Sequence, residues 1–271
     1  MAISETPRVH REVDGEAADG RDRPKRIGYR RLPSDQRRDE IVEAAIATFS
    51  ENHDASLGDV AATAGISRTS VYRFFETRQE LLTAAFRTAG DQLLDYVRDA
   101  PHGPPSKALL VRLRRFFDYI EEHETTFVGI VRWNSPMAND EIRAVADGVR
   151  RDLCRMTYEV LEAEEVTPLL EMTVRYWVAG VETAALEWLE TRHMPRDTVE
   201  ILLSMHLGAA LFNAASLDPV VAERVEWWLE REPADGAMGA FLRALAGMFN
   251  LKITANVARL LAYSDPPPSE G

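Results

Sequence analysis

Two arginines, a threonine and a tyrosine fall on one arc of a single predicted helix, and they are the residues best equipped to engage a partner. At 100° per residue in a helix starting near Ser67, Arg68, Thr69, Tyr72 and Arg73 face one way, while Val71, Phe74 and Phe75 face the other. Guanidinium groups pair with guanine edges and phosphates, and a hydroxyl both donates and accepts. A tyrosine ring presents an apolar face and a polar tip. This is recognition chemistry for double-stranded DNA. The six histidines (His10, His53, His102, His123, His193 and His206) are scattered and never at HxxxH spacing. With Cys154 as the one cysteine, neither a zinc site nor an intrachain disulfide is expected. No G-x-S-x-G turn, glycine-rich phosphate loop or dinucleotide fingerprint occurs, so we expect no catalytic residues, no metal, no cofactor and no enzyme.

The elements that must position this arc are helices. From Ser34 onward nearly every segment has helical period, beta-branched alternation is missing, and short Pro/Gly/Asn clusters leave about ten helices, so the fold class is all-α. A first helix over 34–52 carries Val42, Ala45, Ile46 and Phe49 on one stripe. Ser56 then opens a capping box with Asp59, and Leu57, Val60, Ala61 and Ala64 give a short helix with a narrow apolar face. Gly65 sits where the chain must turn sharply through the left-handed region. Thr77 to Glu80 reads as a second capping box, opening a fourth helix. Together these make an N-terminal three-helix helix-turn-helix unit over 34–82, followed by a larger helical bundle over 83–263. Residues 1–33 read as a disordered basic arm and 264–271 as a disordered tail.

Residues 57–82 resemble the signature of the tetracycline-repressor (TetR) family. Ala64, Gly65, Ser67, Tyr72, Phe75, Glu80, Leu81 and Leu82 match its common form, and Ile66, Arg68, Val71 and Arg78 are like-for-like replacements. Thr69 departs from a frequent glycine and Glu76 from a frequent proline or small residue, which bear on base preference and backbone affinity. The resemblance implies that Ser56, Arg68, Thr69 and Tyr72 meet bases or phosphates. Arg73 stands where the family often has histidine, and the N-terminus of the fourth helix, with Arg78 alongside, meets a phosphate. It further implies a homodimer on a near-palindromic operator, released by a small lipophilic effector. The expected outcome is repression, with activation as the alternative, and the competing trigger is another protein.

In the bundle, Leu170, Val174, Trp177, Val181, Ala184 and Trp188 recur at steps of four and three, the period of a coiled-coil-like or four-helix seam. Gly180, and Gly208 in the next helix, would let backbones approach closely. Because the family's corresponding helix pair makes the dimer, the interface is expected on about 168–192 and 195–216, with Val174, Gly180, Val181, Trp188 and Gly208 in it. Aromatic and soft residues between 109 and 177 would line an effector pocket. Phe116, Phe127, Trp133, Met137, Tyr158 and Trp177 are the named candidates, and His123, Arg175 and Glu182 are sources of polarity. Trp227, Trp228, Phe241, Leu245, Met248 and Phe249 imply that 218–263 fold against something, either over the body or across the dimer.

The net charge of −12 would disfavour DNA were it uniform. Residues 1–90 hold 14 Lys/Arg against 15 Asp/Glu, whereas 91–271 hold 18 against 29. Residues 21–38 carry eight basic side chains against Asp22 and Asp35, so a basic front end is mounted on an acidic body that repels phosphate. No apolar run approaches a membrane span, the start has no secretory character, and a lone cysteine suits a reducing compartment; no membrane and a cytoplasmic location are expected. Arg23, Lys25, Arg26 and Arg30, just ahead of the first helix, can follow the narrow minor groove, whose negative potential attracts arginine. Each neutralised phosphate adds a slope of about −0.9 to log affinity against log salt. Deleting residues 1–32 should therefore weaken operator binding and flatten that slope; an unchanged slope in a salt titration would reduce the arm to a solvated tail.

Overall fold

The computed structural model describes residues 34–99, 103–133 and 140–248. Within them run eleven helices and no strand. α1 (Ser34–Glu51), α2 (Leu57–Thr63) and α3 (Arg68–Tyr72) close with the start of α4 (Arg78–Arg98) around Ile41, Phe49, Val60, Val71, Phe75 and Leu81. Each of these is at most 2% exposed. Burying such a side chain contributes about 1.5–3 kcal/mol, which holds α2 and α3, too short to persist alone, against α1 and α4. The second half of α4 enters a different core through Leu93, Leu94 and Val97. There it meets α5 (Pro105–Glu122), α8 (Pro168–Thr191) and α9 (Arg196–Ala215), which bring Leu109, Phe117, Leu170, Leu207 and Leu211.

α6 (Glu124–Trp133) and α7 (Asp140–Val160) lie against both units. α6 packs on α1, where the Ser50 and Thr126 hydroxyls share a 2.7 Å hydrogen bond. α7 crosses α4 at Gly90, where a Cβ would stand 2.6 Å from the Val149 side chain. The close crossing is what requires glycine there. The start of α7 also inserts Ile142 into the first core. The expected boundary between residues 82 and 83 therefore falls inside one continuous helix, α4, rather than at a linker.

Residues 218–248 pack over the body. α10 (Pro219–Arg231) adds Val221, Val225 and Trp228 to the second core, and Met238 of α11 (Ala237–Met248) covers Gly208 of α9. Asp218 caps α10, accepting from the Val220 and Val221 amides, and takes a 2.5 Å hydrogen bond from Thr167, the N-cap of α8. That hydroxyl, more than the amides, holds the Asp218 carboxyl below the usual carboxylate range. After α10, the Glu232 carboxylate accepts from the Ser106 amide at 2.7 Å, the Ser106 hydroxyl at 2.6 Å and the Trp228 indole at 2.6 Å. A carboxylate thus satisfies an otherwise unpaired amide in the first turn of α5.

Three expectations need amendment. The break at His123, which separates α5 from α6 and raises the count from about ten helices to eleven, has no proline or glycine to announce it. It is held by the His123 ring against Tyr119 at 4.4 Å and by the packing of α6 on α1. The recognition helix is a short α3 that ends before Phe74, and Phe74 is half-buried rather than fully inward. And α9 is long and apolar enough to cross a membrane by length and composition. Here it packs on α5, α8 and α10, with Glu200 buried against Arg196 at 2.6 Å. The basic arm, the tail and residues 249–263, with Phe249, lie outside the described residues.

The Glu232 cluster generates a stability test. Glu232→Ala would strand a helix amide and an indole N–H, at a cost of about 1–3 kcal/mol in thermal unfolding. Hydrogen exchange should speed up at the start of α5 and in α10; an unchanged exchange pattern would mean the cluster does not fasten the C-terminal helices.

Candidate nucleic-acid interface and interior cavity

The α2–α3 corner is built almost wholly from local hydrogen bonds. The Ser56 hydroxyl accepts from the Asp59 amide at 3.3 Å while the Asp59 carboxylate accepts from the Ser56 amide at 2.7 Å, which completes the capping box. The backbone and side chain of Ser56, with smaller help from Arg68, hold the Asp59 carboxyl below its usual range. The cap is therefore present above the ordinary carboxylate pKa and is lost on acidification below it. Gly65 takes φ +65°, the left-handed conformation a side chain would resist, and Ser67 caps α3 by accepting from the Ser70 amide at 3.2 Å. α3 is so positioned that Thr69, Tyr72 and Arg73 are exposed, with Tyr72 at 55%. Arg68 folds back across Gly58, where a Cβ would come within 2.6–2.7 Å of its guanidinium. The Arg73 guanidinium stands 5.4 Å from the Phe74 ring.

The structure thus brings Ser56, Arg68, Thr69, Tyr72 and Arg73 to one corner. It does not add Arg78 to them. The Arg78 Nε donates to the Ala55 carbonyl at 2.8 Å, an Nη donates to the His53 carbonyl, and the guanidinium lies 5.2 Å from the Phe49 ring. Its Nε and one Nη are turned inward to hold the α1–α2 loop, so this part of the guanidinium acts as a clamp. Glu80 differs from the expected reciprocal box as well. Thr77 accepts from the Glu80 amide at 3.1 Å, but the Glu80 carboxylate accepts from Glu76, one residue before the cap. Arg38, which the sequence placed only in the basic segment, sits on α1 with its guanidinium 5.0 Å from the Phe75 ring, at the turn into α4. Only the tertiary fold puts it there. Arg23, Lys25, Arg26 and Arg30 lie outside the described residues.

Behind α4 lies a cavity of about 140 Å³. Phe116, Phe127 and Trp177 line it as expected from the sequence, together with Phe86, Val149 and Leu153. Phe116 meets Phe127 edge-on at 5.8 Å. Tyr158 is not part of this wall. On α7 the cavity side is taken by Leu153, Met156, Thr157 and Val160, and Tyr158 is turned to an outer groove beside Trp227. Burial is the main reason its hydroxyl pKa is pushed up to about 12. The Trp133 side chain and Met137 lie outside the described residues. Of the three residues expected to supply polarity, Glu182 reaches the cavity, paired with Arg150 through two bonds of 2.7 and 2.8 Å. The sequence pattern missed Arg112, because a lone arginine on an amphipathic helix carries no signal of an inward turn, whereas Tyr119, among the aromatic residues expected between 109 and 177, lines the wall. Tyr119 is buried, donates to the Ala89 carbonyl of α4 at 3.1 Å, and burial pushes its pKa up to about 12.

The α8–α9 pair carries a second feature, an open groove that leaves Tyr176, Met194, Leu202 and Leu217 between 40% and 78% exposed. Gly180 faces it with nothing near its Cβ position. Of the other expected interface residues, only Trp188 also lines this groove. Val174, Val181 and Trp188 are buried at 0–8% in the chain's own core, and Gly208 lies under Met238. The 3.5-residue seam packs on the chain itself through Leu170, Val174 and Val181, and its Trp177, Ala184 and Trp188 also line the groove. A second stripe, Tyr176, Gly180, Thr183 and Glu187, has the same steps of four and three and lines the groove.

Comparison with known proteins places these features in a family. Residues 41–85 match the domain described as bacterial regulatory proteins, tetR family, and residues 105–210 match the tetracyclin repressor-like C-terminal domain. A crystal structure of a tetR-family transcriptional regulator from Streptomyces coelicolor is similar at 30% identity, covering 80% of this chain and 99% of that one with a TM-score of 0.74. The transcriptional activator FasR of Mycolicibacterium smegmatis is 29% identical over 118 residues, which is 42% of this chain and 53% of that relative. The transcriptional regulator AcrR of Shigella flexneri is 24% identical over 206 residues, 63% of this chain and 89% of that one.

The corner separates two kinds of arginine, and mutation should too. Arg68→Ala and Tyr72→Ala should each weaken specific DNA binding by about 1–3 kcal/mol with thermal stability unchanged. Arg78→Ala should instead lower stability, by about 1.5–3 kcal/mol for charged hydrogen bonds to backbone carbonyls. Mobility shifts and thermal melts on the three variants check this; full affinity in both of the first two would remove α3 from the role of reader.

Proposed function

The chain belongs to the tetracycline-repressor family of transcriptional regulators, and from that premise we propose that it binds a near-palindromic operator as a homodimer and lets go when a small lipophilic molecule enters the cavity behind α4. The observation that carries this reading is a shared side chain. Phe86 is buried in the core of the helix-turn-helix unit and also lines the cavity, so whatever fills the cavity presses on the DNA-binding core. Val145 of α7 is a second such residue. An occupant that displaces α4 changes the separation of the two recognition helices in the dimer. Those helices must enter major grooves about 34–36 Å apart. The effector works through its preference for the released arrangement, and by reciprocity operator DNA weakens effector binding by the same factor.

Ser56, Arg68, Thr69, Tyr72 and Arg73, with Arg38 beside them, make the DNA contacts in this reading, and the arm residues Arg23, Lys25, Arg26 and Arg30 extend them. The dimer forms through the open α8–α9 groove, because an exposed apolar face with Tyr176 and Leu217 at its surface is what a second copy would cover. The regulator works in the cytoplasm, beside its DNA. The outcome in this reading is repression: release on effector binding frees a promoter that the dimer had covered.

Selection from a random duplex pool tests the reading directly. Enriched sites should be inverted repeats with half-sites one helical turn apart. Gly180→Leu should leave helical content intact, since leucine improves on glycine inside a helix and has open space there. Yet it should give monomers in analytical ultracentrifugation and abolish selection of repeats. An undisturbed dimer in that variant would move the interface off α8–α9.

A further inference from the structure

The cavity holds two arginines, and only one of them is matched. Arg150 is neutralised by Glu182 through two bonds of 2.7 and 2.8 Å and by Asp147 at 3.1 Å. Arg112, on α5, is different. One Nη donates to the Met156 carbonyl, the other stands 3.8 Å from a Glu159 carboxylate that is itself 58% exposed, and the Nε–H is buried with no hydrogen-bond partner among the described residues. A buried N–H without an acceptor is an expensive arrangement, and a guanidinium whose counter-charge is a long contact to an exposed carboxylate makes it more so. Burial accordingly pulls the Arg112 pKa down, with Glu159 opposing weakly. Apart from Tyr119, Thr126 and Thr157 the rest of the wall is apolar, with Leu113, Phe116, Phe127, Val149, Leu153 and Trp177 among the large groups.

Resting on the reading of this cavity as the effector site, we propose that the effector is a small organic acid, with one apolar body and one carboxylate that accepts from the Arg112 Nε–H. A guanidinium offers Nε and the adjacent Nη as a planar fork, and carboxylate is the group that fits that fork in two parallel bonds. The second prong becomes free when the loose 3.8 Å contact to Glu159 is released. Size sets the body. At about 140 Å³ the cavity matches the volume of about 150 Å³ that accepts a benzene ring, so the apolar part is a single ring or a short alkyl chain. Amides and esters of the same skeleton carry no charge for Arg112 and leave the ion unmatched, as does a hydrocarbon.

The test uses the full chain and matched pairs: phenylacetate against phenylacetamide, and hexanoate against hexanamide, with toluene as the uncharged control. Calorimetry and release from the selected operator are read for each. The acids should bind at least tenfold more tightly than their amides. Arg112→Gln should erase that ratio and Arg112→Lys should keep part of it, with circular dichroism showing both variants folded. Amides or toluene binding as well as the acids in the unaltered protein would overturn the charge assignment while leaving the lipophilic-effector reading standing. An undiminished ratio in Arg112→Gln would overturn Arg112 as the anchor. If no probe binds or releases operator, the cavity is no effector site and both readings fall.

Discussion

A single helix has its two halves in different cores, and the rest of the structure depends on that constraint. Leu81, Leu82, Ala85 and Phe86 of α4 are buried with α1, α2 and α3, whereas Leu93, Leu94 and Val97 are buried in the body. A continuous helix of 21 residues is hydrogen-bonded from end to end, so it transmits a shift at one half to the other instead of absorbing it. Close packing sharpens this. Gly90 lets α7 approach α4 until Val149 would clash with any Cβ, and the Tyr119 hydroxyl is bonded to the Ala89 carbonyl one residue away. The body therefore grips α4 at its middle, next to the cavity, and the helix-turn-helix unit is built on its end. Two secondary ties, Ile142 in the first core and the Ser50–Thr126 hydrogen bond, keep that unit from swivelling freely.

Arginines divide according to what their donors already have. Arg78 has carbonyls and an aromatic ring within reach and becomes part of the scaffold. Arg192 and Arg196 are bound up with Glu121, Glu124, Asp118 and the buried Glu200, and they fasten the α8–α9 corner to α5 and α6. Thr69, Tyr72 and Arg73 are left pointing outward at the α2–α3 corner. Residue type alone does not sort these groups. The neighbours that fold against them do.

Much of the N-terminal unit was legible because its determinants are local. Ser56, Gly65, Ser67 and Thr77 each act within a few residues, so the caps and the left-handed turn follow from sequence chemistry. The body was legible as helices but less so as surfaces. The stripe through Val174, Val181 and Trp188 and the stripe through Tyr176, Gly180 and Thr183 have equal periodicity, and only the packing of α5 and α9 decides which one is interior. The inward turn of Arg78 depends on carbonyls 23 and 25 residues away, and the break at His123 depends on α6 finding α1. These are long-range facts with no local residue to announce them. Arg112 belongs to the same class: on an amphipathic helix it reads as a solvated side chain until α7 closes over it.

One residue stands between the cavity and the α8–α9 groove. Trp177 lines both, and its indole N–H donates to the Leu203 carbonyl of α9 at 2.8 Å. An occupant of the cavity therefore meets, on one side, the helix that carries the DNA-binding core and, on the other, the ring that ties α8 to α9. In the proposed dimer the second side is the interface. Filling the cavity would then act at both ends of the path that sets recognition-helix spacing, through Phe86 on α4 and through Trp177 at the partner-facing pair. That arrangement favours a change in the relative angle of two rigid protomers over local melting of either one. The elements on each side are fastened within the protomer, α4 by the Gly90–Val149 crossing and α8 by its Thr167–Asp218 pin to α10.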